Sequence, residues 1–192
     1  HAAAEARWPQ SPATVAFLLN SGARVDAVDR QGKTPLHMAA KTFGNAEIVK
    51  LLVDHGADVN SIDGRPGFHQ MTPLHYAASR GFEPVVRILL SHGAEVDKVD
   101  YSNYTALFLA CCGKHHTIAR LLLDKGADPN ICSVTYRETP LHRAVTTDDL
   151  PTVELLLEHG AQTAAENREG RTPLDLALVN TAANRISAER LK

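Results

Sequence analysis

The residues of this chain best equipped for chemistry are its ten histidines, its three cysteines and a few acid-rich turns. The stretch Cys111-Cys112-Gly113-Lys114-His115-His116 suggests zinc, because cysteine and histidine this close can ligate it. Position argues against that reading. Cys111 falls where sister segments carry the second alanine of Ala39-Ala40 and Ala77-Ala78, a slot for a small buried side chain. Adjacent ligands on one short helix point in different directions, so Cys112, His115 and His116 alone could converge, with no second cluster to complete the site. Most other histidines are accounted for by place. His37, His75 and His142 each end a Thr-Pro-Leu-His tetrapeptide, and His1 matches their register. His55, His92 and His159 each precede a glycine that ends an apolar helix, where partial positive charge suits the helix C-terminus. His69, His115 and His116 are left over.

Catalysis has no better support. Leu123-Asp124-Lys125-Gly126-Ala127-Asp128 and Asp63-Gly64-Arg65-Pro66-Gly67 mix acids with glycine, but no glycine-rich phosphate loop follows a strand and there is no nucleophile elbow. Thr146-Thr147-Asp148-Asp149 reads as a solvated turn between helices. Acids, bases and nucleophiles recur on equivalent surfaces without forming a constellation with assignable roles. The expectation is a non-enzymatic chain with no cofactor and no metal.

The elements that carry these residues repeat. Thr34, Thr72, Thr105, Thr139 and Thr172 open related segments at steps of 38, 33, 34 and 33 residues. Gly22, Gly56, Gly93, Gly126 and Gly160 close Leu-Leu-x-x-Gly-Ala segments, with Val53 for the second leucine before Gly56, at steps of 34, 37, 33 and 34. Two interleaved markers with one period establish a repeat array. Within a unit, Thr72 suits a helix N-cap and Pro73 the first helical position, where no amide hydrogen is missed. Leu74, Ala77 and Ala78 give a short helix, which Gly81 ends. Val85, Val86, Ile88, Leu89 and Leu90 mark a second, more apolar helix that Gly93 terminates. One such pair cannot bury its apolar face, but stacked copies can.

Thr-Pro-Leu-His-x-Ala-Ala, a glycine, Leu-Leu-x-x-Gly-Ala and Asp-x-x-Gly-x-Thr resemble ankyrin repeats over essentially all 192 residues. The resemblance implies an all-α solenoid of stacked antiparallel helix pairs, curved and right-handed, with β-hairpin-like loops projecting nearly at right angles. It also implies that the imidazole and threonine of Thr-Pro-Leu-His hydrogen-bond within and between repeats. The expected layout is one domain, 1–192: a truncated first repeat (1–29), four full repeats (30–62, 63–99, 100–133 and 134–166) and a C-terminal capping repeat (167–192). His1 is not a start methionine and stands inside a repeat, so further sequence is expected upstream.

The totals fit this picture. The chain is 44% hydrophobic and 22% charged with a net charge of −2, ordinary for a soluble fold and without a global field toward nucleic acid or anionic lipid. Three cysteines do not suggest a disulfide framework, so the expected compartment is reducing and intracellular, cytoplasmic or nuclear. No apolar run approaches a bilayer span, and no membrane insertion is expected.

Ankyrin-like arrays bind partners with their loop tips and the exposed side of the inner helices. The resemblance therefore implies a protein-binding domain, expected as a monomeric scaffold or adaptor module of a larger protein. The second unit offers Arg30, Gln31, Lys33, Met38 and Lys41 there. All four tyrosines, Tyr76, Tyr101, Tyr104 and Tyr136, map to tips or to the exposed inner-helix position. Tyrosine and arginine commonly anchor interfaces. The expected contact set is Phe68, His69, Met71, Tyr76, Arg80, Tyr101, Tyr104, Tyr136, Arg137 and Arg143. Its basic excess fits an acidic or phosphorylated protein or peptide. Oligonucleotide bases stacked on the tyrosines are the alternative, against which the overall charge argues.

Three departures stand out. Nine positions separate Asp63 from Thr72, where five separate Asp29 from Thr34, so one finger is longer, with Phe68 and His69 expected near its tip beside Tyr101 and Tyr104. Thr105-Ala106-Leu107-Phe108 loses the histidine, and Asn103 replaces the tip glycine, which left-handed geometry permits. Finally, Leu52 to Asn60 with Asp58, and Leu122 to Asn130 with Asp128, are similar to ankyrin sites modified by asparaginyl hydroxylases. That resemblance makes Asn60, ahead of Asn130 with its Pro129, a possible hydroxylation site.

Overall fold

The structure is a computed structural model that describes residues 11–42, 44–64 and 69–179. Ten helices are seen among these residues and no strand: α1 (Pro12–Asn20), α2 (Pro35–Thr42), α3 (Ala46–Asp54), α4 (Pro73–Arg80), α5 (Glu83–Ser91), α6 (Ala106–Cys112), α7 (His116–Asp124), α8 (Pro140–Thr146), α9 (Leu150–Glu158) and α10 (Pro173–Val179). No described helix is long and apolar enough to cross a membrane.

Helices alternate between two layers. The inner ones, α2, α4, α6, α8 and α10, pack in sequence on one another, and so do the outer ones α1, α3, α5, α7 and α9. Each unit therefore touches its neighbours, which is how a solenoid buries what one helix pair leaves exposed. Equivalent positions fill the core: Leu36, Leu74, Leu107 and Leu141 are fully buried, flanked by Ala40, Ala78, Cys111 and Val145. Cys111 thus occupies the small-residue slot, and burial pushes its thiol pKa well above the ordinary value. Small side chains there let the inner helices approach closely. Gly81 shows the same economy. Its φ is +77°, and a Cβ there would come within 2.7 Å of the His115 ring, which instead packs over it.

The inner helices begin alike. Thr72, Thr105 and Thr139 each accept a hydrogen bond from the amide three residues on. In three units the histidine completes a reciprocal bond. Nδ1 of His37, His75 and His142 lies 2.8 Å from the hydroxyl of Thr34, Thr72 and Thr139 and also accepts from the same threonine's amide. With Nδ1 an acceptor, the ring proton sits on Nε2. That nitrogen donates across to the next unit, to the carbonyls of Met71 (3.0 Å), Tyr104 (2.9 Å) and Arg171 (3.1 Å). Phe108 takes this place in α6. Its ring stacks on Tyr104 with centroids 4.6 Å apart, and apolar contact replaces the polar bond.

The outer helices end on a second use of histidine. Nδ1 of His55, His92 and His159 donates to the carbonyls of Leu51, Ile88 and Leu155 in the last turn. Beyond them the chain turns into loops whose asparagines join units. The Asn60 side chain donates to the Gly93 carbonyl and accepts from the Glu95 amide, while Asn130 does the same with Gly160 and Gln162.

Burial, above all, lowers the pKa of His37, His75 and His142 below the usual imidazole value of 6.5. The unfolded chain therefore binds protons that the fold refuses, so this contribution is full above pH 6.5 and declines as pH falls toward the lower folded pKa. Urea unfolding of wild type and His75→Gln should show a stability gap that is constant above pH 7 and narrows steadily toward pH 5. A gap independent of pH would refute the neutral-imidazole assignment.

Candidate functional site

The loop tips are built on one carboxylate or its substitute. Asp29 Oδ1 accepts from the amides of Gln31 and Lys33, Asp100 Oδ1 from Ser102 and Tyr104, and Asn167 Oδ1 from Glu169 and Arg171. Each tip then passes through a left-handed residue, supplied by Gly32, Gln70, Asn103, Arg137 and Gly170 in turn. Asn103, at φ +61°, accepts this geometry as its sequence implied. Successive tips are joined by backbone bonds: Gly64 to Gln31 (2.9 Å), Tyr101 to His69 (2.9 Å), Val134 to Ser102 (3.0 Å) and Arg168 to Tyr136 (2.8 Å), amide to carbonyl. No side-chain pattern announces this row, because it is made by the main chain.

The longer loop from Asp63 to Thr72 keeps the brace but changes its use. Asp63 Oδ1 accepts from the Met71 amide, and its Oδ2 accepts from the Tyr76 hydroxyl. Lys33 Nζ stands 3.7 Å from the same oxygen. These charges are buried, Asp63 at 1% exposure and Lys33 at 8%. Around them lies a basin of about 530 Å³ between the tips of the second and third units, lined also by Arg30, Lys41, His69 and Met71. Lys41 Nζ sits 5.3 Å from the Tyr76 ring centroid, a cation–π contact.

Tyr76 therefore departs from expectation. The repeat pattern puts it on the exposed inner-helix position, yet it is only 8% exposed. Its hydroxyl is held by Asp63 and its ring stands edge-on to His37 with centroids 6.2 Å apart. Burial, reinforced by that carboxylate, pushes the phenol pKa above its ordinary value. Tyr76 still lines the basin and forms the floor on which Lys41 rests.

The remaining expected contact residues fall into groups. His69 and Met71 line the basin with Tyr76. His69 is exposed and Met71 half-buried, while Arg80, exposed at the end of α4, is not part of its lining. Tyr101 and Tyr136 stand on the tips at 62% and 58% exposure. The His69 carbonyl bonded to the Tyr101 amide sets the base of the long finger beside the tyrosine, whereas Phe68 lies outside the described residues. Tyr104 is half-buried on Phe108, and Arg137 is exposed. Arg143 pairs with Glu138 at 3.4 Å and keeps a buried Nε without a hydrogen-bond partner among the described residues. Asn60 and Asn130 are half-buried, with each side-chain amide engaged by the next unit, so an enzyme would have to draw the loop out of the stack to reach it.

Comparison with known proteins bears on the family. A family model described as "Ankyrin repeats (3 copies)" matches residues 1–63, 64–133 and 130–188. The chain belongs to the ankyrin-repeat family. Human Ankyrin repeat and SOCS box protein 16 is 40% identical over 172 residues, 85% of this chain and 37% of that protein. Human Palmitoyltransferase ZDHHC13 is 38% identical over 171 residues, 86% of this chain and 26% of the relative. A Caenorhabditis elegans transient receptor potential cation channel subfamily A member 1 homolog is 35% identical over 139 residues, 72% of this chain and 11% of that protein. The chain thus spans well under half the length of these relatives. Ankyrin repeats are generally protein–protein interaction modules and typically non-catalytic.

Replacing Tyr76 by Phe removes the hydroxyl from the buried Asp63 oxygen. Urea denaturation should show a loss of about 1–3 kcal/mol, the usual cost of leaving a buried polar group short of a partner. Unchanged stability would mean that this bond does not organise the basin.

Proposed function

We propose that this ankyrin array is the recognition module of a larger scaffold or adaptor protein, and that it binds an acidic or phosphorylated segment of a partner protein along the face made by the inner helices and the loop tips. The observation that carries this reading is the basin between the second and third units. It presents Arg30 and Lys41, while its one buried carboxylate, Asp63, is paired with the buried Lys33. Charge of one sign around a concavity attracts and orients the opposite sign.

From the basin a bound segment would run along the tips. Tyr101 and Tyr136 project there with large amphipathic surfaces, on loops fixed by the main-chain row. Rigid aromatic groups give contact area at little entropic cost, which suits them to anchor a partner. A parent chain longer than this segment is supported by the relatives, of which it covers 37% or less.

Fluorescence anisotropy with a panel of acidic and phosphorylated peptides tests the reading, beside a labelled single-stranded oligonucleotide over a salt series. The expected outcome is peptide binding that weakens about tenfold or more in the Tyr101→Ala, Tyr136→Ala double variant, whose side chains are exposed and outside the core. Peptide binding indifferent to both substitutions, or salt-sensitive binding of the oligonucleotide alone, would overturn it.

A further inference from the structure

The basin has a charge pattern more specific than a general preference for acids. Lys33 is already compensated. It lies beside Asp63 Oδ2 and donates to the Gln31 side chain, almost out of solvent. Asp63 in turn is consumed by Lys33, the Met71 amide and the Tyr76 hydroxyl. Two cations remain on the lining, Arg30 and Lys41. Among the described residues neither has a carboxylate within 4.0 Å.

The two differ in a useful way. Lys41 is held on the Tyr76 ring, and Tyr76 is itself fixed by Asp63, so the ammonium is positioned before a ligand arrives. Positioning in advance lowers the entropic cost of binding. Arg30 is exposed on the tip and carries a planar guanidinium that can engage two oxygens of one group. Two uncompensated positive charges match a phosphate monoester, which carries about −1.5 to −2 near neutral pH. A carboxylate or sulfate ester, with one negative charge, leaves one cation unanswered.

We propose that the basin is a seat for the phosphoryl group of a phosphorylated serine or threonine in the partner segment, with Arg30 and Lys41 as its two cationic contacts and the Asp63–Tyr76–Lys33 cluster as the rigid floor. This rests on the interaction-module reading above and gives it a chemical class of ligand. The Asp29 and Asp100 loops differ from this one: one carboxylate oxygen there braces two tip amides, whereas Asp63 gives one oxygen to the Met71 amide and the other to Tyr76 and Lys33.

The test uses two probes of equal shape and different charge, capped phosphoserine and its sulfate-ester analogue, titrated into isotope-labelled protein and followed by NMR. The phosphate probe should shift the amides of Arg30, Gln31 and Lys41 and bind at least several-fold more tightly than the sulfate. Arg30→Gln and Lys41→Gln should each weaken the phosphate about tenfold and erase the difference between probes. Equal binding of both probes, shifts outside the basin, or variants that bind as wild type does would overturn the proposal. Inorganic phosphate provides a further arm. If it binds as tightly as a phosphoserine peptide, the site is a free-anion site and the partner-segment assignment fails. The broader reading is separable, because a peptide whose binding depends on Tyr101 and Tyr136 but not on Lys41 would retain the interaction face while removing the seat.

Discussion

The fold depends on a neutral imidazole held between two units. Each of His37, His75 and His142 accepts from its own threonine and gives its single proton to a carbonyl of the next loop. A repeat array has no long-range core, so its cooperativity comes from interfaces between neighbours. Apolar packing supplies most of that interface energy, but it is tolerant of sliding. The imidazole bond is directional and fixes three of the loops over the inner helix before them. The three pairs share one geometry because one tautomer alone satisfies the threonine on one side and the carbonyl on the other.

What stands on the loops follows from that constraint. Because each tip is anchored at its base, the main-chain bonds between tips can form a row, and Tyr101 and Tyr136 are carried on it rather than on free loops. The basin arises where the row is perturbed. In the third unit Asp63 keeps one oxygen on the Met71 amide, and its other oxygen holds Tyr76 and Lys33. The charges of Lys33 and Asp63 thus meet at the junction of two units. Surface chemistry and scaffold are linked here through one buried carboxylate.

Much of this was legible in the residues. Threonine opened each inner helix, followed by proline, leucine and histidine in three of them, and the glycine-alanine pairs marked each outer end, because caps and breakers act locally. The left-handed geometry of Asn103 followed from its place in the loop. The site was less legible. Tyr76 occupies a position that faces outward in the repeat pattern, yet whether an outward side chain is covered depends on the loop beside it. Asp63 looked like the start of a turn, and its pairing with Lys33 joins residues from two units. Lys41 belongs to the second unit and was seen on the inner face, but its contact with Tyr76 exists only in three dimensions. Positional codes report which face a residue shares. They do not report how an insertion redistributes partners across that face.

The fourth unit offers the most direct check on the imidazole bond, because nature has already removed it there. The amides of Asp63, Asp100 and Asn167 donate to carbonyls of Met71, Tyr104 and Arg171 that also receive an imidazole, whereas Ser133 donates to Glu138, which faces Phe108's unit instead. Native-state hydrogen exchange of these four equivalent amides compares the junctions within one molecule. The amide of Ser133 should open at a free energy lower by about 1 kcal/mol, the net worth of a typical hydrogen bond. If Ser133 is protected as well as the other three, the stitch does not hold the units together and apolar packing alone sets the array.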